Sequence, residues 1–357
     1  MNAGGTNPMV WALIPHSLEG DRLTAATYDN ERTKSELAAT FASLGLPWVW
    51  QPVVLGSMAD VIEQLTASVA RRPTVAFNFC DGLDRDGAPG LSFVRELAKA
   101  GVPFTGSDAR FYETSTYKLR MKQLFAAHGV ETAPWEGLPR TGPLSGVCAR
   151  LGVPLIVKPD VSCASCGITL RSKVCSDAEL EARRDELRTR VMGNLLLESD
   201  IFAERYLAGE EYTVFVGGFR DDPERLWTLP PAQRCFAPSV PEAERFLTYD
   251  RYWGYYREES APDAGEPFYR YVLVEGDLRE ELVELAKRAY CATDGYGYAR
   301  VDIRRDTVNG RLSVLEVNAN CGLSGDHETS TGWILQLMGW HFPGLLRRII
   351  DQTLQRA

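Results

Sequence analysis

The stretch 298-YARVDIRRDTVNGRLSVLEVNANCGL-323 decides how this chain is read. Both halves look like strands, and strand alternation sorts their side chains into faces. Ala299, Val301 and Ile303 share one face, while Arg300, Asp302 and Arg304 share the other. In the second half Glu316 and Asn318 fall together, opposite Val317. Val308-Asn309-Gly310 lies between the halves and marks a hairpin. Phase then limits the turn. A two-residue Asn-Gly turn would pair Asp302 with Val317 and send the acids to opposite faces. A three-residue loop with Gly310 left-handed pairs Asp302 with Glu316 and Arg300 with Asn318. Burying either carboxylate in the apolar face is far costlier than any turn preference, so the second register is expected. Carboxylates placed directly opposite repel each other, and a divalent cation between them removes that penalty. Asp302, Glu316 and Asn318 are therefore candidate metal ligands, against the plainer reading of a solvated polar sheet face.

Upstream, the apolar run Leu155–Val157 delivers Lys158, and the small-residue loop 160-DVSCASCG-167 follows. Such a loop lets backbone N–H groups approach phosphate oxygens, although Gly167 is its only glycine. Lys118, in 116-TYKLRMKQ-123, falls on the first turn of an expected helix. No G-x-x-x-x-G-K-[ST] and no G-x-G-x-x-G occurs, so neither a P-loop nor a dinucleotide fingerprint is present. The N-terminal third alternates: Val10–Ile14, Val75–Phe79 and Val102–Thr105 read as strands, separated by helical spacings such as Leu37, Phe41 and Leu44. That alternation predicts an α/β domain with a largely parallel sheet over residues 1–110. A small central lobe is expected over 111–200 and a C-terminal lobe over 201–357. Within the last, the aromatic-rich segment from Arg234 to Glu275, including 246-FLTYDRYWGYYREES-260, reads as a long functional loop.

The totals exclude some partners. The chain has 357 residues and a net charge of −9, with no basic run to hold a nucleic-acid backbone. No apolar run is long enough to span a bilayer, and the start, MNAGGTNPMVW, lacks the features of a secretory signal. With eight scattered cysteines, a reduced cytoplasm is the expected compartment. Cys163-Ala-Ser-Cys166 has redox or zinc spacing, but no second ligand pair accompanies it.

Taken in order, these motifs resemble the ATP-grasp superfamily, and within it D-alanine–D-alanine ligase and its relatives, from about Val75 to Leu337. The segment 103-PFTGSDARFYETSTYKLRMKQLFAAHGVETAPW-135 resembles the family's "TGS" and "DK-x-R-x-K" region. 154-PLIVKPDVSCASCGIT-169 resembles its second lysine and phosphate loop, and 203-AERYLAGEEYTV-214 its adenine hinge and ribose acid. The opening hairpin resembles its metal-binding hairpin and oxyanion loop. The resemblance implies an ATP-grasp fold: α/β in the N-terminal domain, α+β in the C-terminal lobes, three lobes in all, with nucleotide held between two sheets. It implies that Lys118 and Lys158, with Ser165 and Gly167, hold the ATP phosphates. Glu204 and the backbone near Tyr206 and Leu207 would face adenine, and Glu211 the ribose. Asp302, Glu316 and Asn318 would bind two Mg²⁺ ions, for which Mn²⁺ can substitute. Arg300 and the Gly322 N–H would steady an oxyanion. The implied chemistry is an acyl phosphate formed from a carboxylate and ATP, then attack by the amine of an amino acid. A homodimer is implied by the family alone.

Departures from the family lie on the substrate side. The stretch 16-HSLEGDRLTAATYDNERTKSE-36 has acids but no clean match to the family's S-x-E-H. Ala164 stands where a serine would lock the mobile loop, and the loop's Lys-Tyr reads at best Arg251-Tyr252. The family's N-x-x-P-G has Cys321 for proline. His327, Thr329 and Ser330 compete for the serine that reads the second substrate's carboxylate. ATP chemistry is thus retained while amino-acid selection is altered. 77-FNFCDG-82 and Tyr112–Lys118 resemble ligases that attach an amino acid to the mycosporine ring, where an enol acid replaces the carboxylate. Two other classes stay open: an ATP-grasp kinase, which needs no oxyanion site, and a nucleotide-binding module without catalysis.

Overall fold

The first apolar run becomes the middle of a parallel sheet, as its burial requires. In the computed structural model, which describes residues 7–19, 22–25, 31–162, 164–189, 199–256, 259, 261–263, 265–327 and 329–356, β1 (Met9–Glu19) folds back on β2 (Arg22–Ala25). Then follow α1 (Glu31–Ser43), β3 (Trp48–Val53), α2 (Met58–Val69), β4 (Thr74–Asn78) and α3 (Leu91–Lys99). β1 pairs in parallel with both β3 and β4, and a parallel bridge from Ala76 to Phe104 adds the Val102–Thr105 run. Val10, Ala12, Leu13, Ile14 and all of β4 are buried, the signature of a sheet covered on both faces.

The chain continues through α4 (Ala109–Thr116), α5 (Lys118–Ala127), β5 (Trp135–Leu138), α6 (Val147–Leu151), β6 (Leu155–Pro159), β7 (Lys173–Val174), α7 (Asp177–Thr189) and β8 (Ile201–Arg205). The four strands form an antiparallel sheet in the order β5-β8-β6-β7. Because β8 sits inside this sheet, the central lobe runs one strand beyond the expected boundary at 200. α4 and α5 lie in the expected central segment, yet Phe111, Met121 and Phe125 pack into the core of the C-terminal sheet. After β6, Ala164, Ser165 and Gly167 take φ values of 48°, 58° and 79°. Two successive non-glycine residues in the left-handed region are costly and bend the loop sharply. Cys163 lies outside the described residues, as do residues 20–21 and 26–30 of the 16–36 stretch.

The C-terminal lobe comprises β9 (Glu211–Phe219), β10 (Trp227–Thr228), β11 (Ala232–Phe236), α8 (Tyr249–Tyr252), β12 (Tyr269–Leu273), α9 (Asp277–Ala292), β13 (Tyr296–Arg305), β14 (Leu312–Ala319), α10 (Ser330–Leu337) and α11 (Phe342–Arg356). Its antiparallel sheet runs β12-β11-β9-β13-β14, with β10 on β9. Tyr212, Val214, Val216, Ala299, Val301, Ile303, Val314 and Val317 turn one face onto α9. Cross-strand register gathers polar groups on the other: Arg234, Glu211 and Arg304 form one row; Thr213, Asp302 and Glu316 the next; Arg300 and Asn318 a third.

Asp302 pairs with Glu316 and Arg300 with Asn318, as expected, but not by the expected turn. The loop is four residues long, 307–310, closed by Asp306 N–H to Arg311 O and Gly310 N–H to Asp306 O, both 2.8 Å. That turn alone would set Asp302 against Leu315. The register shifts where Ile303–Val314 gives way to Asp302–Glu316, so Leu315 is a β-bulge. The bulge lets Val314 and Val317, three residues apart, both reach the apolar core while Glu316 faces away. The outer edge of β14 is covered there: Val314 N–H donates to Glu131 O, and Val314 O accepts from Thr132 Oγ1, each at 2.7 Å.

Gly310 has φ 72° and nothing within 4 Å of a built Cβ, so substitution there tests backbone strain alone. Gly310→Ala should lower stability by about 1 kcal/mol and Gly310→Asn by less, measured by urea unfolding.

Candidate active site

Three oxygen-bearing side chains converge on the polar face of the hairpin. Asn318 Nδ2 lies 3.0 Å from Asp302 Oδ2 and 3.2 Å from Glu316 Oε1. Thr213 Oγ1 donates to Asp302 Oδ1 at 3.0 Å, and Arg300 grips both oxygens of Asp302 through Nε (2.9 and 3.1 Å) and a second nitrogen at 2.8 Å. Asp302 is buried. Burial pushes the Glu316 carboxyl up, but Lys118, Lys158 and Arg300 outweigh it and hold the group ionised below its ordinary range. Among the described residues no cluster of three or more His, Cys, Asp or Glu exists, and here the third donor is an asparagine. Two carboxylates and an amide in mutual contact are a hard-oxygen set that fits a divalent cation.

The lysines arrive from α5 and from β6 of the other sheet. Lys118 Nζ reaches Glu316 Oε2 at 3.5 Å and donates to Ser162 O in the phosphate loop at 2.7 Å. Its helix begins on Asp160, which accepts from Lys118 N–H through its carbonyl and from Leu119 N–H through Oδ1 at 2.6 Å. Lys158 Nζ sits 2.5 Å from Glu204 Oε1, and Lys122 Nζ 2.6 Å from Glu204 Oε2. Glu204 is 1 % exposed, and each of its oxygens faces one of the two lysines. Burial raises its carboxyl, yet Lys122 and Lys158 more than offset this and hold it at about 2.

Glu211 is likewise enclosed, between Arg234 and Arg304. Arg234 also donates to Tyr271 Oη at 2.7 Å, and Arg304 to Tyr206 Oη at 3.2 Å. Tyr206 and Leu207 are buried, and Tyr206 forms an apolar cluster with Ile156, Ile168 and Phe246 beside Lys158. Phe246 belongs to the excursion from 237 to 268, which docks on the phosphate loop: Tyr249 N–H donates to Ile168 O at 2.9 Å, and Glu259 Oε1 accepts from Leu170 N–H at 3.2 Å.

The loop after β14 carries Gly322. It is fixed to the N-terminal domain by Asn320, φ 51°, whose amide accepts from Ser107 N–H and donates to Ser107 Oγ, both at 2.8 Å. A Cβ on Gly106, φ 89°, would fall 2.5 Å from Asn320 Oδ1, so the "TGS" glycine is demanded by this contact. Glu36 of α1 accepts from Gly325 N–H at 2.7 Å. Burial pushes the Cys321 thiol up to about 12, which leaves it an inert filler at the family's proline position.

The structure does not bring Arg251 to this cluster. Its guanidinium is buried inside the excursion, held by Glu244 and by Glu259 at 3.1 Å, because an unpaired charge there would be costly. Tyr252 is exposed, on the one-turn helix α8. Thr329 caps α10, accepting from Gly332 N–H at 3.0 Å, and Ser330 opens that helix. His327 is exposed and stacks on Trp333 at 3.8 Å, and Trp333 meets Tyr271 edge-on at 6.2 Å. Sequence reading missed Lys122, Thr213, Arg234, Asp160 and Glu36. Lys122 had a signal, lying four residues after Lys118 on the same helix face. Glu36 had none, since its partner is 289 residues away. Two surface grooves, of about 610 and 310 Å³, are lined by none of the cluster's residues.

Charged groups from two antiparallel sheets thus meet in one place, with a parallel α/β domain clamped to their loop; the fold is ATP-grasp. Solved structures agree: D-alanine–D-alanine ligase from Bacillus anthracis, in the form complexed with ATP, superposes with a TM-score of 0.65 over 98% of this chain and 97% of that one, at 19% identity. Residues 124–351 match the family described as D-ala D-ala ligase C-terminus. A D-alanine–D-alanine ligase of Chromohalobacter salexigens is 33% identical over 272 residues, covering 75% of this chain and 74% of the relative. One from Xanthomonas axonopodis pv. citri is 31% identical over 292 residues, covering 81% and 80%. The chain belongs to the D-alanine–D-alanine ligase family.

The Glu204 triad has a pH signature. A carboxyl held at about 2 when folded, against an ordinary 4.5, stabilises the fold fully above 4.5 and loses that contribution as pH falls toward 2. Urea unfolding from about pH 6 to about pH 2 should cost the wild type about 3 kcal/mol more than Glu204→Gln.

Proposed function

We propose that this protein is an ATP-dependent ligase that joins a carboxylate to the amine of an amino acid, releasing ADP and phosphate. The observation that carries the reading is the 3.5 Å contact of Lys118 with Glu316, which sets a cation beside the oxygen cluster and next to the phosphate loop. A divalent cation would be held by Asp302, Glu316 and Asn318, and Lys118 and Lys158 would take the phosphate oxygens of the nucleotide that it accompanies. Ile156, Ile168, Tyr206 and Phe246 offer adenine an apolar slot, and Glu211 offers ribose a carboxylate shared with Arg234 and Arg304.

In the forward reaction a substrate carboxylate oxygen attacks the γ-phosphorus, the bond to the β-phosphate oxygen breaks, and ADP leaves. The amino acid's amine then attacks the acyl carbon; phosphate departs and the amine's proton passes to solvent. Magnesium, when bound, neutralises charge on the transferring phosphoryl group. Lys118 and Lys158 orient the phosphates, and the Arg300 guanidinium with the Gly322 N–H donates to the tetrahedral oxyanion. Docking of the excursion on the phosphate loop keeps water from the acyl phosphate. A kinase has no use for the Arg300 and Gly322 donors.

A second reading concerns the acceptor. Tyr271, one of the groups acting on Arg300, meets Trp333, on which His327 stacks; such an aromatic run suits a planar ring better than a methyl group, which favours an enol acid of mycosporine type over alanine. Incubation with Mg-ATP, a panel of amino acids and carboxylate or enol-acid acceptors, followed by mass, tests both. ADP and phosphate in equal amounts with a condensed product are expected. A stable phosphorylated product would point to a kinase, and AMP with pyrophosphate would end the ligase reading. Glu316→Gln should lower turnover by about a thousandfold or more while the unfolding midpoint stays within a few degrees.

A further inference from the structure

Lys122 has no role in the chemistry just described, yet it is one of the most deeply buried charges in the molecule. Its side chain is 1 % exposed, against 19 % for Lys158 and 14 % for Lys118. Both Lys122 and Lys158 rest on a single carboxylate, Glu204, each on its own oxygen. Two cations on one anion leave a surplus of positive charge, and only Lys158 is exposed enough to carry that surplus to a ligand. Lys122 is fixed from behind: Nζ donates to Thr132 Oγ1 at 2.6 Å, and that hydroxyl donates to Val314 O at 2.7 Å, beside the bulge that aims Glu316.

We infer that Lys122 is a positioning residue, the standing counter-ion of Glu204 that lets Lys158 leave this carboxylate for the phosphates of the nucleotide. The inference rests on the ligase reading only in taking Lys158 as a phosphate ligand. Without Lys122, a departing Lys158 would strand a buried carboxylate with no partner, which is strongly disfavoured, so Lys158 would stay docked and nucleotide affinity would fall. With Lys122 in place Glu204 is never left unpaired. Lys122 also sits one helical turn after Lys118, and through Thr132 it is tied to β14, so one buried ammonium sets the positions of both phosphate lysines against the strand of Glu316.

The test is a double-mutant cycle read by calorimetric binding of the magnesium complex of a non-hydrolysable ATP analogue to the full chain. Lys122→Gln should raise Kd about tenfold or more, the scale of a buried carboxylate losing its partner. Lys122→Gln/Glu204→Gln, which has no carboxylate to retain Lys158, should bind within about threefold of Glu204→Gln alone. A merely structural lysine would lower thermal stability without this pattern. Equal Kd for wild type and Lys122→Gln, or a double variant about tenfold weaker than Glu204→Gln, overturns the inference. If Lys122→Gln fails to fold, the double variant is read against Glu204→Gln: equal affinity supports the inference, and a further loss of about tenfold sinks it. Absence of binding by wild type would instead defeat the ligase reading itself.

Discussion

One constraint governs the C-terminal lobe: β14 must feed Val314 and Val317 to the core and Glu316 and Asn318 to the opposite face. A regular strand cannot do this with an odd spacing between its buried positions, so an extra residue is inserted at Leu315. The backbone of Val314, caught between Glu131 and Thr132 on one side and Ile303 on the other, has no freedom to slip. The polar contacts that β14 makes in the site follow from the phase that this insertion sets, from Asn318 on Asp302 to Lys118 on Glu316.

The second organising principle is charge balance at low exposure. Acids and bases from neighbouring elements alternate through the interior: Lys122 and Lys158 on Glu204, Arg234 and Arg304 on Glu211, Arg205 on Asp306. Such pairs add little net stability over an apolar core, but they fix which partner each group must face. Each acid also shares its cations with neighbours, so an incoming anion finds positive groups already in position rather than having to recruit them from solvent.

Much of this was legible from residue order. Alternation gave the faces of β13 and β14, the cost of buried carboxylates gave their register, and the helix–strand rhythm gave the parallel N-terminal sheet. What sequence could not supply was the device that achieves the register, because a four-residue loop plus a bulge and a three-residue loop without one leave the same pairing at Asp302. Contacts across hundreds of residues, such as Glu36 with Gly325, leave no local periodicity. Arg251 has partners that its sequence context does not announce: Arg-Tyr in an aromatic loop resembles a substrate-facing pair, and here the guanidinium meets Glu244 and Glu259 of its own segment.

The polar contacts between the N-terminal domain and the loop that carries Gly322 are chiefly those of Ser107 with Asn320 and of Glu36 with the Gly325 backbone, while Cys321 and Leu323 of that loop share the domain's apolar core. At Gly325 the contact asks only for a main-chain N–H, and neither contact involves the acids of the hairpin. The front of the molecule can therefore diverge toward new acceptors, residue by residue, while the phosphoryl-transfer apparatus behind it goes undisturbed. The hairpin's acids and the N-terminal contacts are in this sense separately heritable.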